Sequence, residues 1–363
     1  MPSNSSSKFG FVTSLSPVVT LLFLGSIVYA VYWYYMAENA ETYVRTLRDD
    51  LRQYGIELDY DDFSIGGFPY RLELDFEDPT LTIEQGPATL TWRAPEAQAI
   101  AQPWKLNHAI IVMPASQLTL RNDDDTMFQV RGDNAQASVR VEEGSLRQIS
   151  VAYGGEPMMQ FGRETTMNAT SAGFHLRIPS AAEKAATTTD LNQPKLADLA
   201  VIIKGLPVAE MIKPERKTPR PGDAIKTYPT TDFEGYLSIH GSSMPQLSVA
   251  NLKRWSDNSG IANINGIVVK SSDLTLSGDG SFALDQSLSL EGAISLKGRS
   301  AAPALDLLEA LKVINADQKA TMASAAQNFQ TDEGLEQLSI MLLGGTVNMG
   351  GETIGRYGPF IKR

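Results

Sequence analysis

Three histidines, His108, His175 and His240, are the only imidazoles in this chain of 363 residues, and cysteine is absent. No two of the histidines lie at the short spacing that lets one segment present both to a metal ion. His175 and His240 fall in alternating stretches, where a surface residue is the plainer reading. Without thiols there is no disulfide framework, thiolate nucleophile or cysteine-ligated zinc or iron–sulfur centre. Asp123-Asp124-Asp125 could attract a divalent cation, but it lacks the spaced oxygen ligands and glycine of a calcium loop and reads as a solvated hairpin tip. Arg131-Gly132-Asp133 spells an adhesion tripeptide, and Gly-Asp suits a turn equally well. Neither a glycine-rich phosphate loop, a Gly-x-Ser-x-Gly elbow nor a His-Glu-x-x-His helix occurs. The expectation is a protein that is not an enzyme and holds no cofactor or metal.

The residues that stand out are apolar and suit binding. Phe68, Tyr70, Leu72, Leu74 and Phe76 alternate with Pro69, Arg71, Glu73, Asp75 and Glu77, which predicts a half-buried antiparallel strand. Phe68 and Tyr70 would be core residues at its start and Arg71 an outward charge. In the functional reading, Phe68, Pro69, Tyr70, Arg71 and Leu72 form a mouth through which an acyl chain enters. Further on, Leu274, Leu276, Phe282, Leu284, Leu288, Leu290, Ile294 and Leu296 share one parity, with Gly278-Asp279-Gly280 and Asp285-Gln286-Ser287 read as turns between them. Thr275, Ser277, Ser281, Ser289 and Ser295 occupy the opposite positions, so one face is wet. Leu274, Leu276, Phe282 and Leu284 are the second set of candidate lipid-facing residues. The bases Lys213, Arg216, Lys217, Arg220 and Lys226 could meet anionic headgroups or a partner, or belong to an ordinary solvated loop.

Something must position these faces, and the N-terminus supplies it. Residues 9–37 carry no charge, and residues 17–36 are long enough to cross about 30 Å of hydrocarbon. Tyr29, Tyr32, Trp33, Tyr34 and Tyr35 crowd one end of that run, as aromatic rings do at the headgroup level. The competing reading is a cleaved signal peptide, with Val28-Tyr29-Ala30 as the processing site. Lys8 on one side and Arg45, Arg48 and Arg52 on the other leave the positive-inside count nearly balanced. A first span behind a short tail places residues 1–16 in the cytoplasm. The net charge of −11 argues against a nucleic-acid partner.

Beyond the span, Ala40, Tyr43, Val44, Leu47, Leu51 and Tyr54 keep helical spacing up to Gly55, which predicts an amphipathic stalk over residues 37–55 that docks on the domain or lies on the membrane. A first β region follows over residues 56–179. Its alternation is carried by Leu118 and Leu120, by Ala135 to Val141 in steps of two, by Ile149, Val151 and Tyr153, and by Phe174, Leu176 and Ile178. Residues 180–230 are a linker-rich segment with a short strand or helix, with loops at 180–194 and 213–229. A second β region, 231–363, contains two helices at 304–314 and 317–329, the second opened by an Asn315…Gln318 capping box, and short strands at 338–342 and 346–349. The predicted fold class is mainly β with α: a transmembrane helix, extended curved antiparallel sheets, and a C-terminal helical pair packed on them within residues 303–330.

Gly66-Gly67-Phe68-Pro69-Tyr70-Arg71-Leu72 resembles the Gly-Phe-Pro-aromatic-Arg-Leu signature of an alphaproteobacterial family known as domain of unknown function 2125. Leu252-Lys-Arg-Trp255, Leu274-Thr-Leu-Ser-Gly-Asp-Gly280 and residues 303–314 resemble that family's C-terminal block in order and spacing. Ser271-Ser272 departs from a Trp-Gly pair expected before Leu274. The resemblance implies a single-pass anchor in a bacterial inner membrane with a periplasmic body, and no established enzyme activity. A looser similarity to AsmA-like envelope proteins implies lipid movement. The partners so implied are the inner membrane, a phospholipid or other lipid, or another envelope protein.

Overall fold

The computed structural model describes residues 17–53, 55–85, 88–122, 125–143, 145–161, 165–186, 193–207, 230–243, 249–272, 274–310, 314–328, 334–349 and 352–356. The tail 1–16, Tyr54, Asp123-Asp124 and the proline-rich segment with its five bases lie outside these residues.

The predicted span and stalk are one continuous helix, α1 (Pro17–Gln53). Its apolar part is long enough to cross a membrane by length and composition, and its side chains there are almost all exposed. The stalk end docks on the body: Val44 is buried, Arg48 pairs with Asp59 and lies 5.5 Å from the Tyr60 ring, and Arg45 lies 5.4 Å from the Phe63 ring.

The chain then runs through β1 (Ile56–Asp59), β2 (Asp62–Gly66), β3 (Leu72–Glu77), β4 (Thr80–Gln85), β5 (Ala88–Arg93), β6 (Glu96–Gln102) and β7 (Lys105–Met113). It continues as β8 (Ser116–Asn122), β9 (Asp125–Gly132), β10 (Asn134–Glu142), β11 (Ser145–Gly154), β12 (Met158–Phe161), β13 (Thr165–Asn168) and β14 (Ser171–Arg177). These strands alternate by pairs between two antiparallel sheets. The short sheet has the order β1-β4-β5-β8-β9-β12-β13, and β2, β3, β6, β7, β10, β11 and β14 begin a long one. Successive strands such as β3 and β4 are therefore two arms of one bent strand. Pro79, Pro95, Pro114 and Pro157 stand at four of the bends, where a missing N–H costs no ladder bond. Asp78 N–H to Pro95 O (2.9 Å) and Ala94 N–H to Pro79 O (3.1 Å) stitch neighbouring bends together. A core of Met113, Val130, Ala135, Tyr153, Met159 and Ala172 fills the crease between the sheets.

A capping box opens α2 (Ala181–Ala186): Glu183 N–H donates to Ser180 Oγ, and Ser180 N–H to Glu183 Oε2. The first expected loop thus contains a helix, because Ser180-Ala-Ala-Glu183 carries its own start signal. The long sheet grows on through β15 (Lys195–Leu206), β16 (Thr231–His240), α3 (Val249–Asp257), β17 (Ile261–Lys270), β18 (Thr275–Leu284) and β19 (Leu290–Gly298). After α4 (Ala302–Ala310) and α5 (Ala316–Asn328), strands β20 (Glu336–Leu343), β21 (Thr346–Met349) and β22 (Glu352–Arg356) complete fifteen in sequence order. Neither sheet closes into a barrel. The Asn315…Gln318 box is formed as expected, with reciprocal bonds of 3.0 and 2.9 Å.

Two expectations are corrected. Phe68, Pro69, Tyr70 and Arg71 are not strand: they form the tip of the β2–β3 hairpin, and the strand begins at Leu72. Gly67, at φ 93°, makes the turn, and a Cβ there would lie 2.7 Å from Arg71 O. Gly278-Asp279-Gly280 is not a turn but the middle of β18. Leu276, Gly278, Gly280 and Phe282 pair with Gly298, Leu296, Ile294 and Gly292, so each large side chain faces a glycine. A Cβ at Gly292 would fall 2.0 Å from Ser281 O, and one at Gly280 2.3 Å from Ala293 O. These glycines permit close approach of adjacent strands.

Candidate functional site

Strand register turns the scattered alternation into a continuous surface. Residues paired across an antiparallel ladder share a face. One row runs Leu72, Ala101, Ala109, Val139, Ile149, Leu176, Leu199, Leu237, Ile264, Gly280, Ile294, Ile340 and Met349. The row beside it runs Ile65, Leu74, Ala99, Ile111, Ala137, Val151, Phe174, Val201, Gly235, Ile267, Gly278, Leu296 and Leu338. Neither contains a polar side chain. On the other face, a comparable row includes Arg140, Gln148, Arg177, Asp198, Ser238 and Asn263.

The apolar face is covered at both ends. Over the first strands the short sheet leans against it, with Phe128 edge-on to Phe174 at 6.1 Å. At the far end, Leu252 and Trp255 of α3 pack with Leu284 and Leu288, while Leu305 of α4 and Met322 of α5 pack with Leu338 and Met349. Between these covers, Leu176, Leu199, Leu237, Ile264 and Ile267 remain partly exposed.

The face begins beside α1. A cleft of 720 Å³ separates helix from sheet, lined by Tyr34, Tyr35, Glu41, Arg45, Phe63 and Ile65. Ile65 is the first member of an apolar row. The hairpin tip is fastened to the same helix: the Tyr29 hydroxyl donates to Pro69 O, and Trp33 Nε1 donates to Arg71 O at 3.0 Å.

The two predicted residue sets lie on one sheet but are not brought together. Between Leu72 on β3 and Leu276 on β18 stand eight strands, about 43 Å along the sheet. Phe68 and Tyr70 are exposed rather than core, Arg71 pairs with Glu73, and Leu72 is buried. Leu274, Leu276 and Leu284 are buried, the last beneath α3, and Phe282 is partly exposed. The partly exposed middle rows were not among the predicted residues. Their signal was present in the alternation of Ala197, Leu199, Val201 and Ile203, but a bulge at Asn265-Gly266 shifts the parity of β17 and hides its share.

Polar chemistry is sparse. Among the described residues no group of three His, Asp or Glu side chains converges as metal ligands would. His240, expected at the surface, is buried, and its Nδ1 has no hydrogen-bond partner. His108 Nε2 lies 2.9 Å from Ser138 Oγ. Burial raises the Tyr153 phenol above its ordinary range, opposed by the Ser116 hydroxyl.

No curated protein matches the chain. A family model described as an uncharacterized protein conserved in bacteria matches residues 33–356, from the aromatic belt of α1 to the last residue of β22. The chain belongs to that family, DUF2125.

Proposed function

We propose that the chain is a non-enzymatic lipid-binding protein of the bacterial envelope, with α1 as its inner-membrane anchor and the β body in the periplasm. The N-terminus is cytoplasmic in this reading. A phospholipid acyl chain lies on the apolar face of the long sheet, and the anchor keeps the first strands beside the leaflet that supplies it. The observation that carries the proposal is the pair of unbroken apolar rows, which start beside α1 and stay partly exposed in the middle. Water-exposed apolar area of this extent is costly, and about 25 cal/mol is recovered for each Å² that a ligand covers.

The full chain, purified in detergent and analysed by native mass spectrometry with lipid extraction, is expected to retain bound phospholipid through delipidating washes. A chain that is empty and stays empty when phospholipid is offered overturns the proposal. One feature supports the alternative of an envelope adaptor: among the described residues β22 is paired on one side only and offers an edge for another strand. Crosslinking in membranes that recovers a protein at β22 and no lipid on the apolar face would favour it.

A further inference from the structure

The long sheet touches α1 at a second place besides the stalk, and that place lies within the charge-free run. The tips of the β2–β3 hairpin, residues 67–71, and of the β6–β7 hairpin, residues 103–104, stand side by side because β3 pairs with β6. Tyr29 donates to Pro69 O, Tyr32 donates to Pro103 O at 2.9 Å, and Trp33 donates to Arg71 O. Trp33 meets the Phe68 ring edge-on at 5.4 Å, and Tyr34 stacks on it at 6.2 Å.

The geometry points to these tips as a second membrane contact, inserted into the headgroup region of the leaflet that receives the aromatic belt of α1. The inference rests on α1 being a membrane span. A bilayer that takes residues 29–34 of the helix must also meet the tips bonded to them. The tips and the start of β7 carry the side chains such a position requires: Phe68 is 51% exposed, Tyr70 77%, Trp104 61% and, on β7, Leu106 51%. Aromatic rings with polar atoms favour the headgroup level. Ile110, paired with Ile100, extends the patch onto the opposite face of the sheet and is likewise exposed. Lys105, exposed, flanks the rings where phosphates would lie, and Arg71 beside them is paired with Glu73.

The backbone is adapted as well. Peptide groups without partners cost several kcal/mol each where water is excluded. Pro69 and Pro103 have no N–H to leave unsatisfied, and the carbonyls of Pro69, Pro103 and Arg71 receive donors from Tyr29, Tyr32 and Trp33. The consequence is that the first strands of the long sheet, with Ile65 and Leu74 partly exposed and Leu72 buried, stand next to the bilayer surface.

The absence of cysteine makes the test direct. Four single-cysteine variants of the full chain, Tyr70→Cys, Leu106→Cys, Phe23→Cys and Tyr236→Cys, carry an environment-sensitive fluorophore in vesicles of phosphatidylethanolamine and phosphatidylglycerol. Labels at 70 and 106 are expected to shift to the blue and to lose emission most strongly with lipids spin-labelled near the headgroup. The label at 23 should respond most to lipids spin-labelled at the tail end, and the label at 236 to neither. If 23 is in the bilayer while 70 and 106 behave like 236, the tips are in water and the inference fails with the anchor intact. If 23 also behaves as in water, the anchor reading fails and takes the inference with it. Blue-shifted tips that no spin-labelled lipid quenches would mean cover by a second copy of the chain, which also overturns it. Phe68→Cys serves where Tyr70→Cys does not fold.

Discussion

The apolar face of the long sheet is closed by different means at its two ends. Over β2 to β14, each strand bends at a corner and supplies its own cover, so the core of Met113, Val130, Tyr153 and Met159 comes from paired arms of the same segments. Over β18 to β22, the strands no longer bend into a second sheet, and separate helices bring Leu252, Trp255, Leu305 and Met322. There the sheet itself is thinned by glycines opposite Leu276, Phe282, Ile294 and Leu296. A cover made by bent strands is fixed by strand pairing, whereas a cover made by helices depends on side-chain packing. The stretch between them has neither in full, and there Leu176, Leu199, Leu237, Ile264 and Ile267 stay partly exposed.

The largest expected effects come from emptying each core. Leu305→Ala at the helical end and Met159→Ala at the crease, both fully buried, are each expected to cost about 3 kcal/mol, read by urea unfolding. The two closures share no cluster, so the double variant should be additive within about 0.5 kcal/mol. Strong coupling would mean that the ends are one core and the distinction is false.

Next in size is the glycine ladder. Gly292→Ala is expected to lose about 2 kcal/mol because its Cβ meets Ser281 O and the Phe282 ring. Gly355→Ala, with open space around it, should change stability by less than about 0.5 kcal/mol. Equal, small losses at both positions would remove the argument for close strand approach in the far half.

A smaller loss than that at Gly292 lies in the β18–β19 turn. Burial alone would raise the Asp285 carboxyl, but the Ser287 hydroxyl and the N–H groups of Ser289 and Ser287 outweigh it and hold the group below its ordinary value. A depressed carboxylate stabilises the fold fully above the unfolded value of about 3.9 and loses that contribution as pH falls through the folded value. Asp285→Asn should therefore cost about 1 kcal/mol near neutral pH, and the difference from the parent should shrink in acid. A difference that grows below pH of about 4 would reverse the sign of the account.

What could be read from the sequence follows a physical line. The charge-free run and the two-residue period were legible because they are local, and so were the Asp285 turn and the Asn315…Gln318 box. The hairpin tip was misread because Phe68 and Tyr70 keep the parity of Leu72 through the turn, so periodicity alone extends the strand. Gly278-Asp279-Gly280 was misread because glycine signals a turn and a close cross-strand contact alike. The corners were invisible to periodicity, since alternation survives a bend. The prolines at 79, 95, 114 and 157 were their trace. The middle of the apolar face was missed because its continuity exists only in the register of thirteen strands, which no single segment contains.

Neighbouring residues on β16 offer the most direct test of the central claim. Leu237 belongs to an apolar row, and Tyr236 points from the opposite face. A photo-crosslinking p-benzoylphenylalanine placed at either position in the full chain, in membranes, is expected to capture phospholipid from 237 and not from 236. Equal capture at both positions, or capture only at 236, would contradict the assignment of the apolar face as the lipid-bearing surface.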